Sequence, residues 1–259
     1  TPSTAVSAAS RWTSPRGRQM SLSQNRARLI RPWRPRPDPE DPGAVLAMPL
    51  VLRIEKHEPP ERQALLEAAA RATVLACLDE RAAGEGPWVE AFDDWCAGRI
   101  RKIARRARAS HWAAVQDLDG VTVEQDGAAA RALIPGPVGE TDRRVSRLQI
   151  GGTDVDGDLA AEPDAAAPLV LWGAPGLPMT GGKLAAQVSH ASMLGVRLFD
   201  EPQTAQWIAD GCPLTVAQAD PQRWAQLLDL EAAGRAVAVR DAGYTEIAPG
   251  SCTVIAALR

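Results

Sequence analysis

The sequence predicts an α/β unit over its C-terminal third, a sheet with helices on both faces, preceded by a small α+β unit. Two observations carry this. From residue 169 onward, short apolar runs suited to buried strands alternate with segments of helical periodicity, the order that layers helices on both faces of a sheet. From 48 to 150, a strand-like run and helical stretches precede an alternating hairpin pattern, the order of an α+β unit. Residues 151–167 between them are rich in Gly, Asp, Ala and Pro, carry almost no large apolar side chain, and read as an interdomain linker.

Residues 48–56 alternate apolar and polar side chains and predict a strand. Pro59 and Pro60 open a helix that runs to about residue 83, since proline in a first turn lacks only a hydrogen bond that would be missing anyway. Leu65, Ala69, Ala72, Leu75 and Ala76 fall near one face of it. The sequence GEGP at 84–87 breaks the pattern. A second helix is expected over 88–115, with Trp88, Phe92, Trp95, Ile100, Ile103 and Trp112 on its apolar side. Residues 120–124 and 128–134 form a hairpin about a turn at 125–127, and 145–150 offer one more strand. The C-terminal unit (168–259) has strands expected at 169–172, 214–219, 236–239 and 253–258, and helices at 183–197, 204–210 and 222–233. Its loops fall at 173–182 and 240–250. No internal repeat is evident in the sequence.

Composition excludes some classes. No apolar run approaches the ~18 residues of a helical membrane span, so no membrane partner is expected. A net charge of −3 argues against a generally basic nucleic-acid coat while leaving room for a local basic patch. Residues 1–47 carry eight arginines against three acids, Asp38, Glu40 and Asp41, and end in a proline-rich stretch. Such a segment buries too little apolar surface to offset its ordering entropy. It also lacks the apolar centre of a secretory signal. It reads as a disordered or non-native extension, with Met48 or Met20 as candidate starts. Cys77, Cys96, Cys212 and Cys252 have neither zinc-site nor redox-pair spacing, which fits reduced thiols in a cytoplasmic protein.

Two stretches carry chemistry. MTGGKLAAQVSHASM (179–193) is a Gly-rich loop entering a helix N-terminus, where backbone amides and the helix dipole favour a negative group. Lys183 adds a full positive charge there. The spacing of a nucleotide-triphosphate loop is missing. RDAGYTEIAPGSCTV (240–254) leaves a buried strand, turns through Gly243 and re-enters a strand after Pro249 and Gly250. Asp and Thr on such a loop lie where α/β sheets bind ligands, yet Asp, Gly, Thr and Pro also form ordinary turns.

Together these stretches resemble the signature segments of the second-type peptidyl-tRNA hydrolases, over roughly 169–259. That family has a Met-Gly-Lys-Gly-Lys loop, then an apolar residue, Ala-Ala-Gln and a nearby His-Ala. Later comes Asp-Ala-Gly-Arg-Thr-Gln-Ile-Ala-Pro-Gly and a closing strand. The resemblance implies a mixed sheet of about four strands, hydrolysis of the ester joining a peptide to tRNA, peptidyl-tRNA as partner, and a homodimer. It puts the catalytic residues on Lys183, Asp241 and Thr245, with Gln187, His190 and Tyr244 on the substrate side. No cofactor or metal is called for. Tyr244 stands where the family has Arg, Glu246 where it has Gln, and the first loop lysine is absent; all three changes make the site less positive toward a polyanion.

In this chemistry Asp241 is the base or orients it, Lys183 stabilises developing negative charge, and Thr245 holds the water or acts as nucleophile. His190 has two readings, a satisfied helix histidine or a substrate contact. Upstream, Arg99, Arg101, Lys102, Arg105, Arg106 and Arg108 form a basic run, with no acid between Trp95 and Gln116. As a helix, its two readings are a solvated face and a contact to the tRNA backbone through Arg101, Lys102, Arg105 and Arg106. Two alternatives remain: a same-fold enzyme acting on another acyl or amide bond, and a non-catalytic RNA-binding module.

Overall fold

The protein is described by a computed structural model over residues 15–32, 34–243 and 247–259. Helix α1 (Pro15–Ile30) leads into β1 (Leu46–Arg53), an inner strand of a first sheet. Helices α2 (Arg62–Leu78) and α3 (Val89–Ala97) then cross over to β2 (Arg101–Ala107), which pairs parallel to β1. After α4 (Ala109–Val115), the hairpin β3 (Gly120–Gln125) and β4 (Ala128–Leu133) adds to the other side of β1, in the order β2-β1-β4-β3. The short β5 (Gly136–Pro137) also pairs with β1, and α5 (Arg143–Ser146) follows. Asp126 and Gly127 both take positive φ, 48° and 78°, the turn that matches the twist of a two-residue hairpin.

The second sheet is built on β6 (Leu169–Gly173). Helices α6 (Gly181–Gly195) and α7 (Glu201–Ala209) cross over to β7 (Leu214–Gln218), parallel to β6. Helix α8 (Pro221–Ala232) leads to β8 (Ala236–Arg240), and β9 (Cys252–Leu258) returns between β6 and β8, antiparallel to both. The order is β7-β6-β9-β8, the mixed four-stranded sheet that the sequence implies. Asp200 and Gln203 form a reciprocal cap on α7, and Asp220 with Pro221 starts α8, each satisfying amides that a helix start leaves unpaired.

Helices α2 and α6 lie against each other between the sheets. Both are buried nearly all round, through Leu65, Leu66 and Ala72 of one and Leu184, Val188 and Met193 of the other. That is the pattern of a helix enclosed on every side rather than amphipathic. One apolar core therefore runs from Met48, Leu50 and Leu52 through both helices to Leu169, Leu171 and Val216.

Four expectations are corrected. Residues 88–115 do not form one helix: α3 stops at Gly98, whose amide donates to the Trp95 carbonyl, and Ile100 turns the chain at φ 51° into β2. Parallel pairing with β1 outweighs the local helical pattern. The basic run is thus a strand, and its side chains do not share a helical face. Residues 143–146 are helical because Asp142 caps Arg144, leaving only Gln149 bridged to Arg106. The lead segment is a helix over 15–30 and packs: Asn25 and Arg28 are buried, with Arg28 donating to Asp93, Asn25 Oδ1 and the Ala82 carbonyl. Strand β1 begins ahead of Met48, which is itself fully buried.

Candidate active site

The site sits where β6, β8 and β9 meet the N-terminus of α6. Asp241 follows the last residue of β8, past an irregularity in the pairing of Val239 and Arg240 with β9. Its backbone is fixed from both sides: its amide donates to the Ser251 carbonyl at 2.9 Å, and its carbonyl accepts from the Gly250 amide at 2.7 Å. The side chain is buried, and both carboxylate oxygens are used. Oδ1 accepts from the Gly243 amide at 2.8 Å. Oδ2 accepts from Gln187 Nε2 at 2.9 Å and from the Lys183 ammonium, with which it forms an ion pair. Gln187 is held in turn by Thr253 of β9, whose hydroxyl donates to its Oε1 at 2.6 Å.

The chain Thr253–Gln187–Asp241–Lys183 thus orders four side chains from α6, β9 and the loop after β8. Lys183 and Gln187 are one helical turn apart, so both point to the same oxygen. A carboxylate taking three donors is set as an acceptor, and a neighbouring ammonium supplies positive charge for an oxyanion. Gly243 has φ 79°, and a Cβ there would lie 2.3 Å from Pro249 Cγ, so only glycine closes this turn.

The start of α6 is more occupied than its sequence suggests. Thr180 caps the helix by accepting from the Lys183 amide at 3.3 Å. Asp154 Oδ1 accepts from the Gly181 amide at 2.6 Å and Thr153 Oγ1 from the Gly182 amide at 2.8 Å. A Cβ on Gly181 would meet the Thr153 carbonyl at 2.3 Å. The two glycines thus admit the connecting segment 153–154 to the helix end, and these two amides face protein oxygens instead of a ligand. Neither Thr153 nor Asp154 stands out in a stretch that reads as linker. A cavity of about 240 Å³ adjoins this helix end, lined by Arg62, Leu159, Ala174, Met179, Leu184 and Gln218 among others.

The predicted residues divide. Lys183, Gln187 and Asp241 come together. Thr245 and Tyr244, with Glu246, lie outside the described residues. His190 does not join Asp241: its Nδ1 lies 2.9 Å from Lys102 Nζ of β2, and burial holds its pKa well below the usual histidine range. The basic run is engaged within the chain. Arg101 makes a two-pronged pair with Asp38, Arg105 donates to the Ser146 and Leu148 carbonyls, and Arg106 to Gln149 Oε1 and the Gly152 carbonyl. Lys102 turns inward to His190 and Met193.

Comparison with known proteins converges on the C-terminal unit. The family model for peptidyl-tRNA hydrolase PTH2 matches residues 171–258, which contain the whole Lys183–Asp241 arrangement. A curated peptidyl-tRNA hydrolase from Haloquadratum walsbyi is 39% identical over 83 residues, 31% of this chain and 74% of that protein. Through its C-terminal unit, the chain belongs to the peptidyl-tRNA hydrolase PTH2 family.

Proposed function

We propose that the protein hydrolyses the ester bond between a peptide, or an N-blocked amino acid, and the terminal ribose of tRNA, as a step of cytoplasmic translation. The observation that carries this reading is the Asp241 carboxylate, held by Gln187 and Gly243 and paired with Lys183 inside the family-matched segment. Ester hydrolysis needs an activated water, a stabilised oxyanion and protonation of the leaving ribose oxygen. Asp241 accepts a proton from the attacking water, or orients that water. Lys183 faces the negative charge that develops on the carbonyl oxygen. The proton then passes to the ribose oxygen as the ester C–O bond breaks. Thr245 is assigned to hold the water or to attack in its place, from its position in the loop sequence.

The test is release of the blocked amino acid from N-blocked aminoacyl-tRNA by the full chain, beside Asp241→Asn and Lys183→Ala. The parent should release it, with each variant slower by about 10²–10⁴-fold, the usual worth of a positioned acid or base. A folded parent that leaves the ester intact would move the search to small acyl substrates. Variants as fast as the parent would remove these residues from the mechanism.

A further inference from the structure

The two sheets repeat each other. Each unit runs strand, long helix, short helix, strand, helix, strand, strand, and the strand orders β2-β1-β4-β3 and β7-β6-β9-β8 correspond position by position. In both, the first pair is parallel and the others antiparallel.

The correspondence extends to single residues. Helices α3 and α7 each have nine residues, with Trp95 and Trp207 seventh in their helices. Trp95 Nε1 donates to the Arg101 carbonyl at 2.9 Å, and Trp207 Nε1 to the Pro213 carbonyl at 2.8 Å, each six residues on. Five residues after each tryptophan the chain takes positive φ without glycine, 51° at Ile100 and 54° at Cys212. Carried forward from this anchor, Ala104 matches Val216. The rung Ala104–Leu50–Ala132–Val121 then matches Val216–Leu171–Ala256–Val237. Four residues beyond Val121 and Val237 stand Gln125 and Asp241.

The contact between the units is reciprocal. Helix α2 packs on α6, with Ser192 Oγ donating to the Ala70 carbonyl at 2.8 Å. Helix α2 also reaches the other unit's edge strand, where Glu67 Oε1 accepts from Thr215 Oγ1 at 2.9 Å and the Val216 amide at 3.0 Å. Helix α6 reaches β2 in the same way, through His190 and Met193 to Lys102. The same patch of each unit meeting the same patch of the other is the geometry of a two-fold dimer.

We infer that residues 46–133 are a second copy of the hydrolase unit, seated where a partner subunit would sit and without a catalytic site. The Asp241 position holds the neutral Gln125, which accepts from Arg71 and donates to Glu67. The residues joining the last two strands, 241–251 in one unit, are reduced to Asp126–Gly127 in the other, and α2 begins without a Thr-Gly-Gly-Lys segment. The copy keeps the interface and has lost the chemistry. The working particle is one chain with one active site, and the second subunit expected from the sequence is supplied by the chain itself.

The test uses the full chain with a protease site inserted between the exposed Ala161 and Glu162. Light scattering should give the uncut chain the mass of a monomer, 27.6 kDa. After cleavage both fragments should remain in one particle of the same mass. Glu67→Ala, which removes the acceptor for β7, should raise the concentration at which the fragments separate by at least about tenfold, the equivalent of one lost hydrogen bond to a charged group. Ser192→Ala should shift it in the same direction. A dimeric uncut chain, fragments of the parent that part on cleavage, or variants that leave their association unchanged would each overturn the inference. None of these readouts depends on catalysis.

Discussion

Thr253 tests whether Asp241 is positioned or merely present. Its hydroxyl is fully buried and donates to Gln187 Oε1, and Gln187, also buried, donates to Asp241. Thr253→Val keeps the shape and replaces that hydroxyl with a methyl group, leaving a buried amide oxygen without its donor. Such a group costs about 1–3 kcal/mol. At about 2 kcal/mol the melting temperature of a chain this size falls by about 4–8 °C. Gln187 relieves the loss by rotating away, which removes one of the three donors on Asp241. The carboxylate then keeps Lys183 and Gly243 but loses its fixed direction, so kcat should fall about tenfold, or about 1.4 kcal/mol, with KM little changed. Thr253→Ser restores the donor and should recover most of both losses. Calorimetry and steady-state release of N-blocked amino acid give the two readouts. A Val variant with parental kcat, or a Ser variant no better than Val, would refute the positioning chain.

Two further changes probe the loop and the contact between the units. Gly243→Ala forces a Cβ into Pro249 at a positive φ that costs an L-residue about 1–2 kcal/mol. It should lower kcat more than tenfold while melting shifts by only a few degrees, since the strain is local to the loop; unchanged kcat would show that this turn does not position Asp241. Burial pushes Lys102 from 10.5 down to about 7. The unfolded chain therefore holds a proton that the folded one releases above about pH 7, and stability from this group rises with pH over that range. The groups facing it are His190, held neutral, and the thiols of Cys77 and Cys96, both pushed up by burial. Lys102→Met should gain most over the parent at about pH 7 and below, and the gain should shrink toward about pH 9. A gain that is flat with pH would mean that Lys102 stays charged in the folded protein.

The C-terminal unit is legible in the sequence because its signals are local. Short apolar runs, helical periodicity and the two loop segments mark its strands and helices, and the order of those elements leaves few ways to build the sheet. The caps Asp200 and Asp220, which start two of the helices earlier than their apolar pattern does, come from the structure. Lys183, Asp241 and Gln187 are legible for the same reason, since each sits in a short recognisable stretch. Thr253, Thr153 and Asp154 are not: their roles depend on which helix atoms they meet across the fold, and no spacing encodes that. Residues 101–107 read as helix because basic and apolar residues there fit a helical period, whereas pairing with β1, fixed by a distant strand, makes them a strand. The repeat is hidden because the two copies share backbone order and a few anchors, Trp95 with Trp207 and Ile100 with Cys212, rather than residue runs. Local periodicity thus determines the elements, and two short stretches of sequence determine the neighbourhood of Lys183, Gln187 and Asp241. Only the tertiary structure decides that α2 and α6 enclose one core, because burial on every side is a property of what surrounds a helix and not of the helix itself.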